Sequence, residues 1–211
     1  DWWGQIRETP FNGFHLIFSE LIGSFGCNEL MPEVLAPLAK FQNTFDECIW
    51  IPQSLDCYIA PVHSPSIWSM SNDIESNISV PIISDFLYLS NPVKVWSFDY
   101  TNPQFETFSR EFQGGIEFTE DSILHGFAGH FKAVLFPGIE LDNLPQIPKS
   151  WDSPQSKSNS WLPIYMHSKE QLVIPKCHKM EIKFARESNE HTLSYSWVTG
   201  KYNGSFTFNL W

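Results

Sequence analysis

Through the second half of the chain, hydrophobic and polar positions alternate with a period of two. Met180, Ile182 and Phe184 alternate with Glu181 and Lys183. Leu193, Tyr195 and Trp197 alternate with Thr and Ser, and Phe206, Phe208 and Leu210 close the chain. This period predicts strands that bury one face and expose the other, joined as a meander. Gly200-Lys201-Tyr202-Asn203-Gly204 marks a hairpin-type turn between two of them. Further upstream, FLYL, KVWSFDY and FETFSREF follow in short order, broken by Asn91-Pro92 and Asn102-Pro103. Gly114-Gly115 starts another run, GGIEFTEDSILHGFAGHFKAVLF. Within it Phe127, Phe131, Ala133 and Leu135 share one face, and Gly126 and Gly129 mark bends or close backbone approach.

A different period appears near the N-terminus. Val34, Leu35, Leu38 and Phe41 recur at helical spacing, which predicts a helix from Met31 or Pro32 to Asn43 with Pro32 in its first turn. Glu33 reads as a solvated first-turn charge. Residues 46–63 read as two short strands around a turn at Pro52–Asp56. Residues 64–85 and 137–160 are polar or rich in Pro and Ser and read as loops or arms.

Composition sharpens this to a mainly β chain. Of 211 residues, 42% are hydrophobic and 18% charged, enough for a sizeable core in one large or two small domains. Nine Trp and eighteen Phe suit pleated, half-buried surfaces. A formal charge of −11, from 24 acids against 13 bases, argues against nonspecific nucleic-acid binding and is compatible with a basic peptide partner. No apolar run approaches the ~20 residues that span a bilayer, so no membrane role is expected. The cysteines, Cys27, Cys48, Cys57 and Cys177, show no zinc spacing and read as reduced thiols of an intracellular protein. His125 and His130 are five apart, so they face opposite sides of one strand, and no metal site is expected.

The candidate chemistry lies in Phe14–Leu30, FHLIFSELIGSFGCNEL. An apolar run leads to Glu20, a small-residue loop follows, and Glu29 lies nine residues beyond Glu20. A strand ending in a Gly-containing loop with an acid at each end can aim both acids into one pocket. Two facing carboxylates suit one planar cation, and a guanidinium pairs with carboxylate oxygens two at a time. By itself the spacing also fits a surface acid plus a helix-terminus acid; the surrounding string decides between the two.

SELIGSFGCNEL closely resembles the double-glutamate loop of protein arginine methyltransferases, and its GSF and NEL flanks resemble the symmetric, type II branch. LHGFAGHFKAVLF, about a hundred residues downstream, resembles a second string of the same branch in the right order. A third match is Asn159-Ser160-Trp161 before the strand LPIYM, where the branch has Phe-Ser-Trp; Asn159 is a departure. The resemblance implies that Glu20 and Glu29 grip the substrate arginine, that Trp161 stacks on its guanidinium, and that Ser160 leaves room for symmetric dimethylation.

The implied fold is a C-terminal methyltransferase β-barrel over residues 46–211, with a possible dimerisation arm near 64–85. Residues 1–45 would be a short α/β remnant of the cofactor domain. The donor would be S-adenosylmethionine, but its fold lies N-terminal to the double-glutamate strand in the family. This chain alone is therefore expected neither to bind that cofactor nor to methylate. The implied partners are arginine-containing proteins (Arg/Gly-rich proteins and histones), further copies of the chain, and a regulatory subunit such as a β-propeller protein. The implied localisation is cytoplasmic and nuclear. A regulatory scaffold built on the same fold, with weak or lost catalysis, is the alternative reading.

Overall fold

The structure, a computed structural model, describes residues 14–38, 48–72, 87–101, 107–145, 161–189 and 191–209. In chain order the elements are β1 (Leu16–Phe18), α1 (Met31–Leu35), β2 (Ile49–Ile51), β3 (Ser54–His63), α2 (Pro65–Asn72), β4 (Leu87–Tyr88), β5 (Val93–Asp99) and β6 (Arg110–Phe118). They continue with β7 (Ser122–Phe136), β8 (Ile139–Asp142), β9 (Ile164–Ile174), β10 (His178–Ser188), β11 (Thr192–Thr199) and β12 (Tyr202–Asn209).

The alternating segments form the four-stranded sheet β12-β11-β10-β6, antiparallel throughout. Met180, Ile182, Phe184, Leu193, Tyr195 and Trp197 all point into the core, as the period requires. The second sheet runs β4-β3-β7-β8, with β5 also on β3 and β9 also on β7. The 15-residue β7 is its spine. Residues 124–131 of β7 are buried on both faces, so strict alternation fails there. Register shifts at Cys57/Tyr58, Leu124/Gly126 and Val134/Phe136 let the long strands curl. At Gly126 a Cβ would lie 2.2 Å from the Met166 carbonyl oxygen, and at Gly129 one would meet Ile164, Met166 and Phe25. The two curled sheets enclose one aromatic core in which Phe184 stacks on Trp197 and packs on Trp96. The barrel is thus built of two sheets, and the described residues show no hydrogen-bonded ladder joining them.

β1 and β2 pair in parallel, with α1 between them in the chain. They form a separate two-stranded sheet, the one parallel pairing among the described residues. Ile17 and Trp50 pack inward, whereas Leu16, Phe18 and Ile49 stay 53%, 69% and 44% exposed. The helix is shorter than its periodicity suggests. α1 ends at Leu35 because Pro37 has no N–H to bond the Glu33 carbonyl and its ring crowds that turn. A 3₁₀ turn over Ala36–Leu38 follows, and the Phe41 end of the expected helix lies outside the described residues.

Three further expectations change. Residues 65–72, read as loop, form α2: the Ser64 hydroxyl caps the Ile67 N–H, and Pro65 occupies the first helical position. Residues 139–142, read as an arm, form β8 after a turn at Gly138. Gly114-Gly115 does not start a strand but lies inside β6, opposite Ile182 and Glu181 of β10. The side chains of Phe112, Lys179 and Glu181 occupy the space a Cβ would take at these two glycines. The remainder of the arms, at 73–86 and 146–160, and the expected 45/46 domain boundary lie outside the described residues.

Candidate functional site

The loop between Glu20 and Glu29 is a tight reversal. Gly23 and Gly26 bridge through reciprocal backbone hydrogen bonds of 3.1 and 2.7 Å. Gly26 has a φ of +75°, a conformation that costs other residues about 1–2 kcal/mol. The Asn28 side chain folds back to accept the Phe25 N–H at 2.7 Å and fills the space against Gly23. Glu20 lies three residues before the bridge and Glu29 three after it, and both are exposed. The bridge holds the main chain between them, and both residues remain exposed to solvent.

What fixes the main chain is the barrel. Phe25 is fully buried at the loop's tip, edge-on to the rings of Trp96, Phe184 and Tyr195. Cys27 is also fully buried, its sulfur 3.6 Å from both the Tyr195 hydroxyl and the Cys57 sulfur. Burial pushes the Cys57 thiol well above its ordinary pKa. Asn143, at the end of β8, clamps the tip: its amide donates to the Ser24 carbonyl at 2.8 Å and its Oδ1 accepts from Phe131 N–H at 2.7 Å.

Trp161 is brought to this loop. Its indole N–H donates to the Ile22 carbonyl at 2.6 Å, and its ring stands edge-on to Phe131. Ser160 and Asn159 lie outside the described residues. The structure thus gathers Glu20, Glu29 and Trp161 around one loop.

Glu33 is not the solvated charge its first-turn position suggested. Its carboxylate accepts from Arg186 Nη2 at 2.6 Å and from the Ser188 hydroxyl. Arg186 is fully buried; its Nη1 donates to the Phe108 carbonyl at 2.7 Å, and its Nη2 also reaches the Cys27 carbonyl at 3.4 Å. Burial opposes its charge, but the coulombic pull of Cys27, Tyr195 and Glu33 outweighs that and raises its pKa. Sequence reasoning missed Arg186, though one signal was present. The alternation that points Met180, Ile182 and Phe184 inward makes position 186 the next inward site. No pattern singled out Asn143.

His125 and His130 occupy separate settings. His125 Nδ1 accepts from the Ser64 N–H at 2.9 Å under the rings of His63 and Trp68. His130 lies between Tyr88 and the Asn143 carbonyl. Among the described residues no group of three or more His, Cys, Asp or Glu side chains is placed to hold a metal ion.

Comparison with known proteins matches the chain to two family models. Residues 5–51 match one described as the PRMT5 arginine-N-methyltransferase, and residues 54–207 match one described as the PRMT5 oligomerisation domain. Protein arginine N-methyltransferase skb1 of Schizosaccharomyces pombe is 32% identical over 235 aligned positions, covering 97% of this chain and 37% of that protein. Protein arginine N-methyltransferase 5 of Xenopus laevis is 28% identical, covering 92% of this chain and 31% of that protein. Among solved structures, Arabidopsis thaliana protein arginine methyltransferase 10 superposes with a TM-score of 0.73 at 10% identity, covering 97% of this chain and 73% of that one. The Trypanosoma brucei PRMT1 enzyme–prozyme heterotetramer with AdoHcy gives a TM-score of 0.68 at 11% identity, covering 99% of this chain and 74% of that one. The chain spans about a third of the length of the curated relatives it matches.

Proposed function

The chain belongs to the PRMT5 family of protein arginine methyltransferases, and we propose that it carries the arginine-gripping half of a type II active site together with the oligomerisation module of a longer enzyme. The observation that carries this reading is the reversal at Gly23–Gly26. It is rooted in the barrel core through Phe25 and Cys27 and leaves Glu20 and Glu29 exposed at matched positions on either side.

In this reading the two carboxylates pair with one substrate guanidinium. They orient one nitrogen toward the methyl donor and compensate the charge while density shifts onto that nitrogen. With a guanidine pKa above ~12, the proton leaves during or after transfer rather than before it. Trp161 offers its ring as the aromatic wall by a cation–π contact, and Ser160 leaves the room that symmetric dimethylation needs. The substrates are Arg/Gly-rich proteins, histones among them.

S-adenosylmethionine is the donor this reading implies. β1 and β2 present an apolar outer face at Leu16, Phe18 and Ile49. Parallel strands are ordinarily covered on both faces, and a cofactor domain preceding this chain in the longer protein would cover it. The oligomerisation module supports self-association, with residues 64–85 as an arm; a β-propeller regulatory subunit and a cytoplasmic and nuclear location complete the proposal.

The test is methylation of an Arg/Gly-rich peptide by the full-length protein, comparing wild type with Glu20→Gln and Glu29→Gln. Both variants should lose activity while keeping the wild-type melting temperature. Activity unchanged in both would refute the acid-pair reading. A wild type that folds and binds partners but does not methylate would favour the scaffold.

A further inference from the structure

We propose that Arg186 is a positioning residue for Glu29: one buried guanidinium ties both ends of the short arch that carries this acid. The inference rests on the reading of Glu20 and Glu29 as the guanidinium-gripping pair. The arch runs from Cys27 to Glu33. At its first end Arg186 Nη2 contacts the Cys27 carbonyl at 3.4 Å; at its last end the same nitrogen donates to the Glu33 carboxylate at 2.6 Å. The guanidinium is itself fixed by its Nη1 bond to the Phe108 carbonyl, and the Ser188 hydroxyl fixes the same Glu33 oxygen. Between the two ties lie Asn28, Glu29, Leu30, Met31 and Pro32, and Leu30 takes the left-handed φ of 63° that turns the chain into α1. Glu29 is exposed at the crest of this arch.

A stability role alone does not account for the pair. Arg186 has no exposed side-chain surface and Glu33 retains 19%. Buried ion pairs commonly cost as much in desolvation as they return, and apolar pairs of similar volume often serve stability as well. What an apolar pair cannot do is hold a backbone carbonyl and a carboxylate from one planar fork. Arg186 also removes a competitor. Glu20, Glu29 and Glu33 are three acids in one short stretch of sequence. With Glu33 committed to Arg186, only Glu20 and Glu29 remain available.

The experiment uses the full-length protein and an Arg/Gly-rich peptide, with kcat and KM measured separately. The variant Arg186→Met/Glu33→Met removes both charges and leaves no buried ion unpaired. It should keep its melting temperature within a few degrees, keep KM within about threefold, and lose about tenfold to a hundredfold in kcat, the cost of a small displacement of an orienting group. A folded double variant with wild-type kcat overturns the proposal while leaving the acid pair intact. Should the double variant fail to fold, Arg186→Lys carries the test, since it keeps a cation for Glu33 but loses the fork that also reaches the Cys27 and Phe108 carbonyls. A reduced kcat at unchanged KM supports positioning, and an unchanged kcat overturns it. The control Glu29→Gln separates the two readings: if it retains wild-type kcat, the acid-pair reading itself has failed and Arg186 has nothing to position.

Discussion

The Trp161 indole nitrogen donates to the Ile22 carbonyl across 2.6 Å, joining the residues just before β9 to the loop two residues after Glu20. Ile22 is buried, so its carbonyl has little access to water if this donor is removed. Trp161→Phe keeps a ring face but deletes the donor. It should cost about 1–3 kcal/mol of stability, the penalty of an orphaned buried acceptor, read from the urea midpoint. Trp161→Leu removes the ring as well. If the ring lines the arginine pocket, KM for an Arg/Gly-rich peptide should rise further in Leu than in Phe. Equal KM values in the two variants would assign Trp161 to holding the loop alone.

Gly26 is the position where a side chain would both strain the backbone of the acid loop and meet the packed core. Its φ is +75°, and an added Cβ would lie 2.9 Å from the Phe131 Cβ and 3.0 Å from a Leu55 methyl, both in the packed core. Gly26→Ala therefore combines left-handed strain of about 1–2 kcal/mol with a steric push on the loop. The melting temperature should fall by several degrees. Methylation by the full-length protein should fall more than a global stability loss explains, because Cys27 and the arch behind it must move. Normal activity in a folded Gly26→Ala protein would show that the loop's placement is not critical.

Asn143 serves three partners: Ser24 through its amide, Phe131 through its side-chain oxygen and His130 through its backbone carbonyl. Asn143→Ala keeps the backbone contact but leaves the buried Phe131 N–H and the Ser24 carbonyl without their side-chain partner. Each costs about 1–3 kcal/mol. A total loss of about 2–6 kcal/mol in chemical denaturation is expected. Asn143→Asp should rescue only the Phe131 half, since a carboxylate cannot donate to Ser24.

The parts of this fold legible in the sequence were those governed by one local rule. Alternation located β10, β11 and β12 because each has one buried face. The same rule weakened in β7, where residues 124–131 are covered on both sides and polarity carries no period. α2 was missed although Ser64-Pro65 is a helix-start signal, because the residues after it are too polar to show an apolar stripe. The apolar spacing of Val34, Leu35 and Leu38 runs past the end of α1, which Pro37 sets. At the candidate site, the string singles out Glu20 and Glu29, but the barrel residues packed under their loop could not be read from it. Cys27 and Arg186 are 159 positions apart, and Asn143 and Ser24 are 119 apart. Glu33 shows the consequence: locally it is an acid in a first helical turn, and only the return of β10 gives it a cation.

The two buried histidines make stability fall with acid in a defined window. His130 Nδ1 faces the Asn143 carbonyl at 2.8 Å, so this nitrogen bears the proton, and Nε2 accepts from the Tyr88 hydroxyl at 3.0 Å. Protonating Nε2 would force the Tyr88 hydroxyl to turn from donor to acceptor and place a charge in the core. Burial accordingly holds the His130 pKa down at about 4. His125 is held at about 4 as well, by burial first and then by the neighbouring His63. In the unfolded chain both would titrate near 6.5. Between about pH 6.5 and pH 4 the unfolded state therefore binds protons that the folded state refuses, so folding stability drops as pH falls through this range and levels off below it. Each histidine contributes at most about 3 kcal/mol to that drop. Urea unfolding of wild type at pH 7 and pH 4, compared with His130→Gln, checks the assignment. The variant should be less stable at pH 7 but lose about 3 kcal/mol less on acidification. An acid loss equal to that of wild type would mean that His130 is not one of the groups responsible.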